Sequence, residues 1–275
     1  MTLPLKFRDI PIYCWHVQPG IPKGILILVH GFGEHSGRYL PEMVPQLLNA
    51  GLAVIGYDNI GHGRSGGKRG HCPDYESLMF ILHQVVLKGR SIHPKKPIFL
   101  YGHSMGGNLV LNYALRSKVG LQGIIASSPY LRLAFRPPQW RILLGKLLLN
   151  LVPSLTLSSG LDPSGISRIS QEVDRYKADP LVHDRVSPMF SFPIMDAGEW
   201  AIAHAQLLHI DTLLLHGTAD RIIDYKGTES FHNKSSVTTL KLFNGAYHEL
   251  HNDLCRDMAL LTICAWLRER VKVPM

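Results

Sequence analysis

Residues 98–112, Ile-Phe-Leu-Tyr-Gly-His-Ser-Met-Gly-Gly-Asn-Leu-Val-Leu-Asn, constrain the fold of this chain more than any other stretch. Pro97 bounds an apolar run from Ile98 to Tyr101. Gly102-His103-Ser104-Met105-Gly106 follows, and Leu109, Val110, Ala114 and Leu115 then recur at helical spacing. Together these read as a strand, a sharp turn and a helix with serine at the turn, a nucleophile elbow. The glycines have a steric task, because so tight a turn leaves no room for Cβ atoms on either side of Ser104. The serine also stands at a helix N-terminus, where amide N–H groups and the helix dipole favour developing negative charge. Gly63-Arg64-Ser65-Gly66-Gly67 fits the same five-residue pattern. No apolar run leads directly into it and Lys68-Arg69-Gly70 stands where a helix should begin, so Ser65 is set aside and Ser104 kept.

The sequence around the elbow supplies a sheet for it. Residues 10–18 read as an edge strand, since Pro11 is tolerable only at an edge. Ile25 to Val29 and Leu52 to Tyr57 are continuous apolar runs, as expected of strands covered on both faces. Tyr39 to Asn49 has helical spacing ended by Gly51. Asp74 caps a second helix through Leu78, Ile81, Leu82, Val85 and Val86. Leu121 to Ser128, Thr212 to Leu215 and Val237 to Phe243 are further strands. A closing helix from about Asn252 carries Leu254, Met258, Leu261 and Ala265 on one face. Strands alternating with helices predict an α/β fold with a mostly parallel central sheet flanked by helices.

Between residues 130 and 206 this rhythm breaks. No clear β-run occurs there. Helical patterns cover Trp140 to Leu151, stopped by Val152-Pro153, then Ser167 to Tyr176 and Met195 to Leu208. The expected organisation is a discontinuous core, residues 1–129 and 207–275, with a helical lid of residues 130–206 inserted after the sixth core strand. The leucine-rich segment from Ile142 to Leu151 has two open readings. It is either a helix buried in the core, or a pocket wall and membrane-facing surface, with Arg136, Arg141 and Lys146 nearby.

A serine hydroxyl needs a base to take its proton and a carboxylate to hold that base in one tautomer. On an elbow sheet these follow in the order serine, acid, histidine. Of 15 histidines, only His232, His248 and His251 lie beyond the segment formed by Asp220 and the strand before it. His232 sits in a helical pattern and His251 at the start of the last helix. His248 lies in a loop just after a strand and is the first choice, with His251 in reserve. Asp220 lies just past its strand, whereas Asp224, four residues on, reads as a helix cap. The glycine-rich loop after Val29 supplies one oxyanion donor and the residue after the serine the other, which assigns the N–H groups of Phe32 and Met105. Acyl transfer from an ester follows, with no metal or organic cofactor.

Composition narrows the partners. The net charge of +8 favours anionic surfaces, but no Lys/Arg run exceeds a pair and no basic stripe is interleaved with aromatics, so nucleic acid is not expected. Cys14, Cys72, Cys255 and Cys264 are far apart and lack metal spacing, which suits reduced thiols in the cytoplasm. Residues 1–30 do not read as a signal peptide. The stretch Ile142 to Val152 is too short to cross a bilayer and carries Lys146. A soluble protein is expected, one that touches membranes transiently through the lid. Neither the oligomeric state nor the acyl-chain preference is legible.

The stretches His-Gly-Phe-Gly-Glu-His-Ser-Gly-Arg-Tyr at 30–39, Asp-Asn-Ile-Gly-His-Gly-Arg-Ser at 58–65, Gly-His-Ser-Met-Gly-Gly at 102–107, Gly-Thr-Ala-Asp-Arg at 217–221 and Ala-Tyr-His-Glu-Leu-His at 246–251 span nearly the whole core. With them the chain resembles the monoacylglycerol lipase and lysophospholipase branch of the α/β-hydrolases. The resemblance implies Ser104, Asp220 and His248 as triad, Phe32 and Met105 as oxyanion hole, and Glu34, Arg38 and His251 as hydrogen-bonding partners of a glycerol end. It implies a serine esterase acting on single-chain acylglycerols. A lysophospholipase, general carboxylesterase or thioesterase would share these residues. A proline-specific aminopeptidase lacks an obvious acidic cluster here, and the epoxide-hydrolase and dehalogenase relatives need Asp at position 104. A non-catalytic binding module of the same fold is the alternative from another class.

Overall fold

The computed structural model describes residues 1–117 and 119–271, with the side chain of Arg141 outside the description. Its centre is an eight-stranded sheet of β1 (Thr2–Leu3), β2 (Cys14–Val17), β3 (Gly24–Val29), β4 (Leu52–Tyr57), β5 (Ile98–His103), β6 (Gly123–Ser127), β7 (Thr212–Gly217) and β8 (Thr238–Phe243), in the order β1-β2-β4-β3-β5-β6-β7-β8. The pairs β1–β2 and β2–β4 are antiparallel and the rest parallel. Every residue of β3 to β7 is buried, which is why these strands read as unbroken apolar runs. Order reverses between β3 and β5, so the loops leaving them diverge and open a crevice at the carboxyl end of the sheet.

The helices are α1 (Met43–Asn49), α2 (Tyr75–Ile92), α3 (Met105–Arg116), α4 (Gln139–Leu151), α5 (Ser170–Ala178), α6 (Pro188–Ala203), α7 (Tyr225–His232) and α8 (Arg256–Val271). Asp74 caps α2 by accepting the N–H of Ser77, and Asp224 caps α7 by accepting that of Lys226. Three sequence expectations change. The strand expected over 10–18 splits: Ile10–Pro11 pairs only with Lys6–Phe7, and Cys14–Val17 lies inside β1 rather than at the edge. Pro11 cannot donate to a ladder, so the sheet pairing begins beyond it. Helix α6 starts seven residues earlier than expected, because Ser187 accepts the N–H of Phe190 and Pro188 fits the first turn. Pro193 lies inside that helix. On α8 the shared face of Leu254, Met258 and Leu261 is solvent-exposed, at 68%, 58% and 68%, while Leu260, Ile263, Cys264, Trp266 and Leu267 face the core.

Residues 130–206 follow β6, the sixth strand of the sheet in chain order, and they pack in two ways. Helix α6 contributes Phe190, Ile194, Ala197, Ala201 and Ile202 to the main core. It is fastened to α3, because the side-chain amides of Asn108 and Asn112 donate to the carbonyls of Ile194 and Ala197 at 3.1 and 3.2 Å. Helix α4 has no buried residue among its described side chains. Leu143, Leu147 and Leu151 project outward, at 67%, 55% and 68% exposure, which removes the buried-core reading of this helix. The Leu157–Ser158 strand pairs with Arg185–Val186 between the two helices.

The elbow shows why its glycines are needed. A Cβ on Gly106 would sit 2.1 Å from the carbonyl oxygen of Val29, and one on Gly102 2.1 Å from that of Gly106. Both obstacles are buried backbone, one at the carboxyl end of β3 and the other in the first turn of α3. Gly106→Ala is expected to cost more than about 3 kcal/mol in chemical denaturation, because the core has no slack to absorb the shift.

Candidate active site

Ser104 joins β5 to α3 with φ 54° and ψ −116°, a strained conformation for a residue with a side chain. The strain is held by three backbone hydrogen bonds. Ser104 N–H donates to Ser127 at 2.9 Å, and the Ser104 carbonyl accepts from Asn108 at 3.0 Å and Tyr130 at 2.9 Å. The side chain is thereby turned toward a cavity of about 820 Å³. Ser65, the rejected match, has a structural duty: its hydroxyl donates to the Asp58 carbonyl and accepts the Tyr13 N–H.

Asp220 follows β7 and His248 follows β8, so both reach the same rim as Ser104. His248 Nδ1 lies 2.7 Å from Asp220 Oδ2. A carboxylate only accepts, so Nδ1 carries the proton and Nε2 keeps its lone pair. The other oxygen, Oδ1, accepts the N–H groups of Ile222 and Ile223 at 2.8 and 3.0 Å. Burial opposes ionisation of Asp220, but His248 and the hydrogen bond from His216 outweigh it and hold the carboxyl far below its usual range. Burial likewise opposes charge on His248, yet the Asp220 carboxylate raises its pKa above 6.5. The histidine loop is tied to β6 as well, since the Ser128 hydroxyl donates to the His248 carbonyl at 2.8 Å. Asp224 and His232 take other duties, the former as the α7 cap and the latter against Thr238.

The loop after β3 is fixed by a buried ion strap. Glu34 Oε1 accepts the Gly31 N–H and the Tyr39 hydroxyl, each at 2.7 Å. Its Oε2 accepts from Arg38 at 2.6 Å, and Arg38 also grips both oxygens of Glu249, next to His248, at 2.6 and 2.7 Å. Burial would neutralise Glu249, but Arg38 overrides it and holds the carboxyl far below its normal range. One guanidinium therefore couples the Phe32 loop to the histidine loop. Arg38→Leu would leave two buried carboxylates without their cation. It is expected to lower stability by about 3–5 kcal/mol, readable as a shift in the urea midpoint.

Phe32 and Met105 both line the cavity. Met105 is the first residue of α3, so its N–H has no partner within the helix. The residues implied for a glycerol end separate. Glu34 lines the cavity, but Arg38 and His251 are not among the residues that line it. His251 lies behind, stacked on Tyr39 and edge-on to His103, with neither ring nitrogen hydrogen-bonded among the described residues.

Much of the apolar cavity wall comes from the 130–206 segment: Leu133, Ile142, Leu144, Leu148, Phe192 and Met195. Helices α4 and α6 approach closely at Gly145, where a Cβ would meet the Phe192 ring at 2.8 Å. The polar end holds Glu34, Tyr176, Asp179 and His183. Two contacts clip this segment to the Phe32 loop: His35 to Asp179 at 2.9 Å, and His183 N–H to the Gly33 carbonyl at 2.8 Å. The sequence reading passed over His216, whose ring is wholly buried beside Asp220. The spacing of four residues between the two was the available signal.

A family model described as serine aminopeptidase, S33 matches residues 20–255. The rat (Rattus norvegicus) monoglyceride lipase is 34% identical over 290 residues, covering 98% of this chain and 93% of the rat protein. An abhydrolase domain-containing protein of Dictyostelium discoideum is also 34% identical, over 91% of this chain but only 27% of its own greater length. The crystal structure of a monoacylglycerol lipase from Paleococcus ferrophilus superposes with a TM-score of 0.85 at 37% identity, covering 94% of this chain and 99% of that one.

Proposed function

Since the chain belongs to the serine aminopeptidase S33 family of hydrolases and stands close to the monoglyceride lipases within it, we propose that it cleaves monoacylglycerols to fatty acid and glycerol through an acyl-enzyme on Ser104. The observation that carries this reading is the 2.7 Å contact of His248 with Asp220 on the rim of an apolar cavity that Ser104 and His248 share.

Ser104 Oγ attacks the ester carbonyl while His248 Nε2 takes its proton. The N–H groups of Phe32 and Met105 receive the oxyanion, and one lost donor would cost about 3 kcal/mol of transition-state stabilisation. His248 then gives the proton to the leaving alcohol oxygen and the tetrahedral adduct collapses to the acyl-enzyme. Water enters, His248 deprotonates it, and hydroxide addition releases the fatty acid and restores Ser104. The acyl chain lies along α4 and α6. Glu34 contacts the glycerol end directly, while Arg38 and His251 hold that wall from behind.

A proton on His248 Nε2 stops the first step. Its pKa is raised by Asp220, so kcat/KM is expected to fall as pH drops through a value above 6.5, measured on a short soluble ester to keep the interface out of the assay.

The family description includes aminopeptidases, which need a free carboxylate for the substrate ammonium. Glu34 and Glu249, beside the oxyanion loop and His248, already share Arg38 and are not free for that role. A panel of monoacylglycerols, lysophosphatidylcholine, acyl-CoA, p-nitrophenyl esters and aminoacyl amides tests the assignment. The highest kcat/KM is expected on a monoacylglycerol, and a preference of about tenfold or more for any other class would overturn it.

Residues 130–206 act as a lid whose outer face meets a phospholipid surface. Leu143, Leu147 and Leu151 form its apolar stripe beside Lys146, and the chain carries +8 charge. Among the described residues no helix is long and apolar enough to cross a membrane; we place the protein in the cytoplasm, with this contact at the membrane periphery. Leu143→Glu with Leu147→Glu is expected to reduce sedimentation with anionic vesicles by about tenfold or more, leaving hydrolysis of a soluble ester unchanged.

A further inference from the structure

Asp220 is held by more than its base. His216, the penultimate residue of β7, is fully buried. Its Nε2 lies 3.1 Å from Asp220 Oδ2, the same oxygen that accepts from His248, and 3.3 Å from the Ile223 carbonyl. Its Nδ1 lies 2.7 Å from the hydroxyl of Thr228, itself fully buried in α7. Proton positions follow from what each atom can do. The carboxylate and the carbonyl only accept, so His216 Nε2 carries the hydrogen. In the neutral ring Nδ1 then accepts, and the Thr228 hydroxyl donates to it. Four donors thus converge on Asp220: two backbone N–H groups on Oδ1 and two imidazole N–H groups on Oδ2.

We propose that His216, locked in one tautomer by Thr228, is a positioning residue that fixes the Asp220 carboxylate so that Oδ2 stays aimed at His248. The proposal rests on Asp220 and His248 being the acid and base assigned above. Without the His216 donor, Oδ2 keeps His248 as its one partner, so the carboxylate plane is fixed on that side by the base alone while Ile222 and Ile223 hold Oδ1. The carboxylate also keeps more of its charge for His248. A mere core filler would need only matching volume at position 216. A positioning donor needs an N–H at that place.

The two roles separate in kinetics. His216→Leu keeps the bulk and removes the donor, while His216→Gln returns an amide N–H at similar reach. His216→Leu is expected to lower kcat about tenfold or more, as befits loss of a hydrogen bond to a charged group. KM should change little, because His216 does not line the cavity. The acid limb of kcat/KM should move to higher pH by about half a unit or more, since a less neutralised carboxylate favours the His248 imidazolium. The other groups facing His248, namely Glu249, Glu34, His103 and His251, are untouched. His216→Gln is expected to restore both kcat and the limb. Thr228→Val, which removes only the hydroxyl that fixes the ring, should move both in the same direction by less, and it carries the test if the leucine variant does not fold. Melting temperatures confirm which variants to compare. A folded His216→Leu with wild-type kcat and limb, or a glutamine variant no better than leucine, would overturn the proposal. So would a wild-type profile in Thr228→Val, should that variant have to carry the test. Asp220→Asn is measured alongside: if it keeps full activity, the acid–base assignment itself falls; if it is inactive and His216→Leu is normal, only the role of His216 falls.

Discussion

Ser104→Ala is expected to lower kcat for monoacylglycerol hydrolysis by at least ~10⁴-fold, with a melting temperature no lower than that of the wild type. The size follows from chemistry: without Oγ no acyl-enzyme forms, and only the oxyanion donors and substrate positioning remain to assist water. The hydroxyl of Ser128 is not available to substitute, because it is committed to the His248 carbonyl. Folding should survive. Ser104 makes its structural bonds through the backbone, and no cap hydrogen bond is lost with its hydroxyl. Steady-state kinetics beside a thermal melt checks both halves. Retained turnover in a folded alanine variant would remove Ser104 from the mechanism.

Asp220→Asn is expected to lower kcat by about 10⁴-fold at neutral pH, the scale known for this change in a serine protease of unrelated fold. Geometry gives the reason. An amide has one oxygen and one NH₂ group, but Asp220 serves N–H donors on both sides. If the amide oxygen keeps Ile222 and Ile223, the NH₂ group confronts the Nδ1–H of His248. The ring must then move its proton to Nε2, which is the atom that has to accept from Ser104. The pH dependence has a definite sign. The carboxylate raises the His248 pKa, so its loss shifts the acid limb toward lower pH while the plateau collapses. A variant with lowered activity and an unshifted limb would mean that Asp220 acts on folding alone.

The parts of this molecule that were readable from sequence share a physical cause. Strands β3 to β7 are covered on both faces, so burial wrote itself as unbroken apolar runs. The glycines of the elbow face backbone atoms at 2.1 Å, so no other residue fits and the motif stands out. Chain order and strand ends singled out Asp220 and His248, and the structure puts them 2.7 Å apart. Local pattern failed where tertiary contacts decide. The helix expected from Met195 starts at Pro188 and runs through Pro193, and Asn108 and Asn112 fasten it. The α8 periodicity was real but marked the solvent side, because both of its faces carry apolar residues. Arg38 was assigned to substrate from resemblance, while its carboxylate partners Glu34 and Glu249 are 215 positions apart in the chain and no spacing rule joins them. His216 hid for a related reason, since a buried polar residue in an apolar strand declares its partner only when the fold is closed.

Reaction with a fluorophosphonate probe, followed by mapping of the modified peptide, tests the central claim most directly. A phosphonate adduct confined to Ser104 in the wild type, and lost in His248→Ala, is the predicted result. A folded wild-type protein that stays unlabelled, or carries the adduct on another serine, would contradict it.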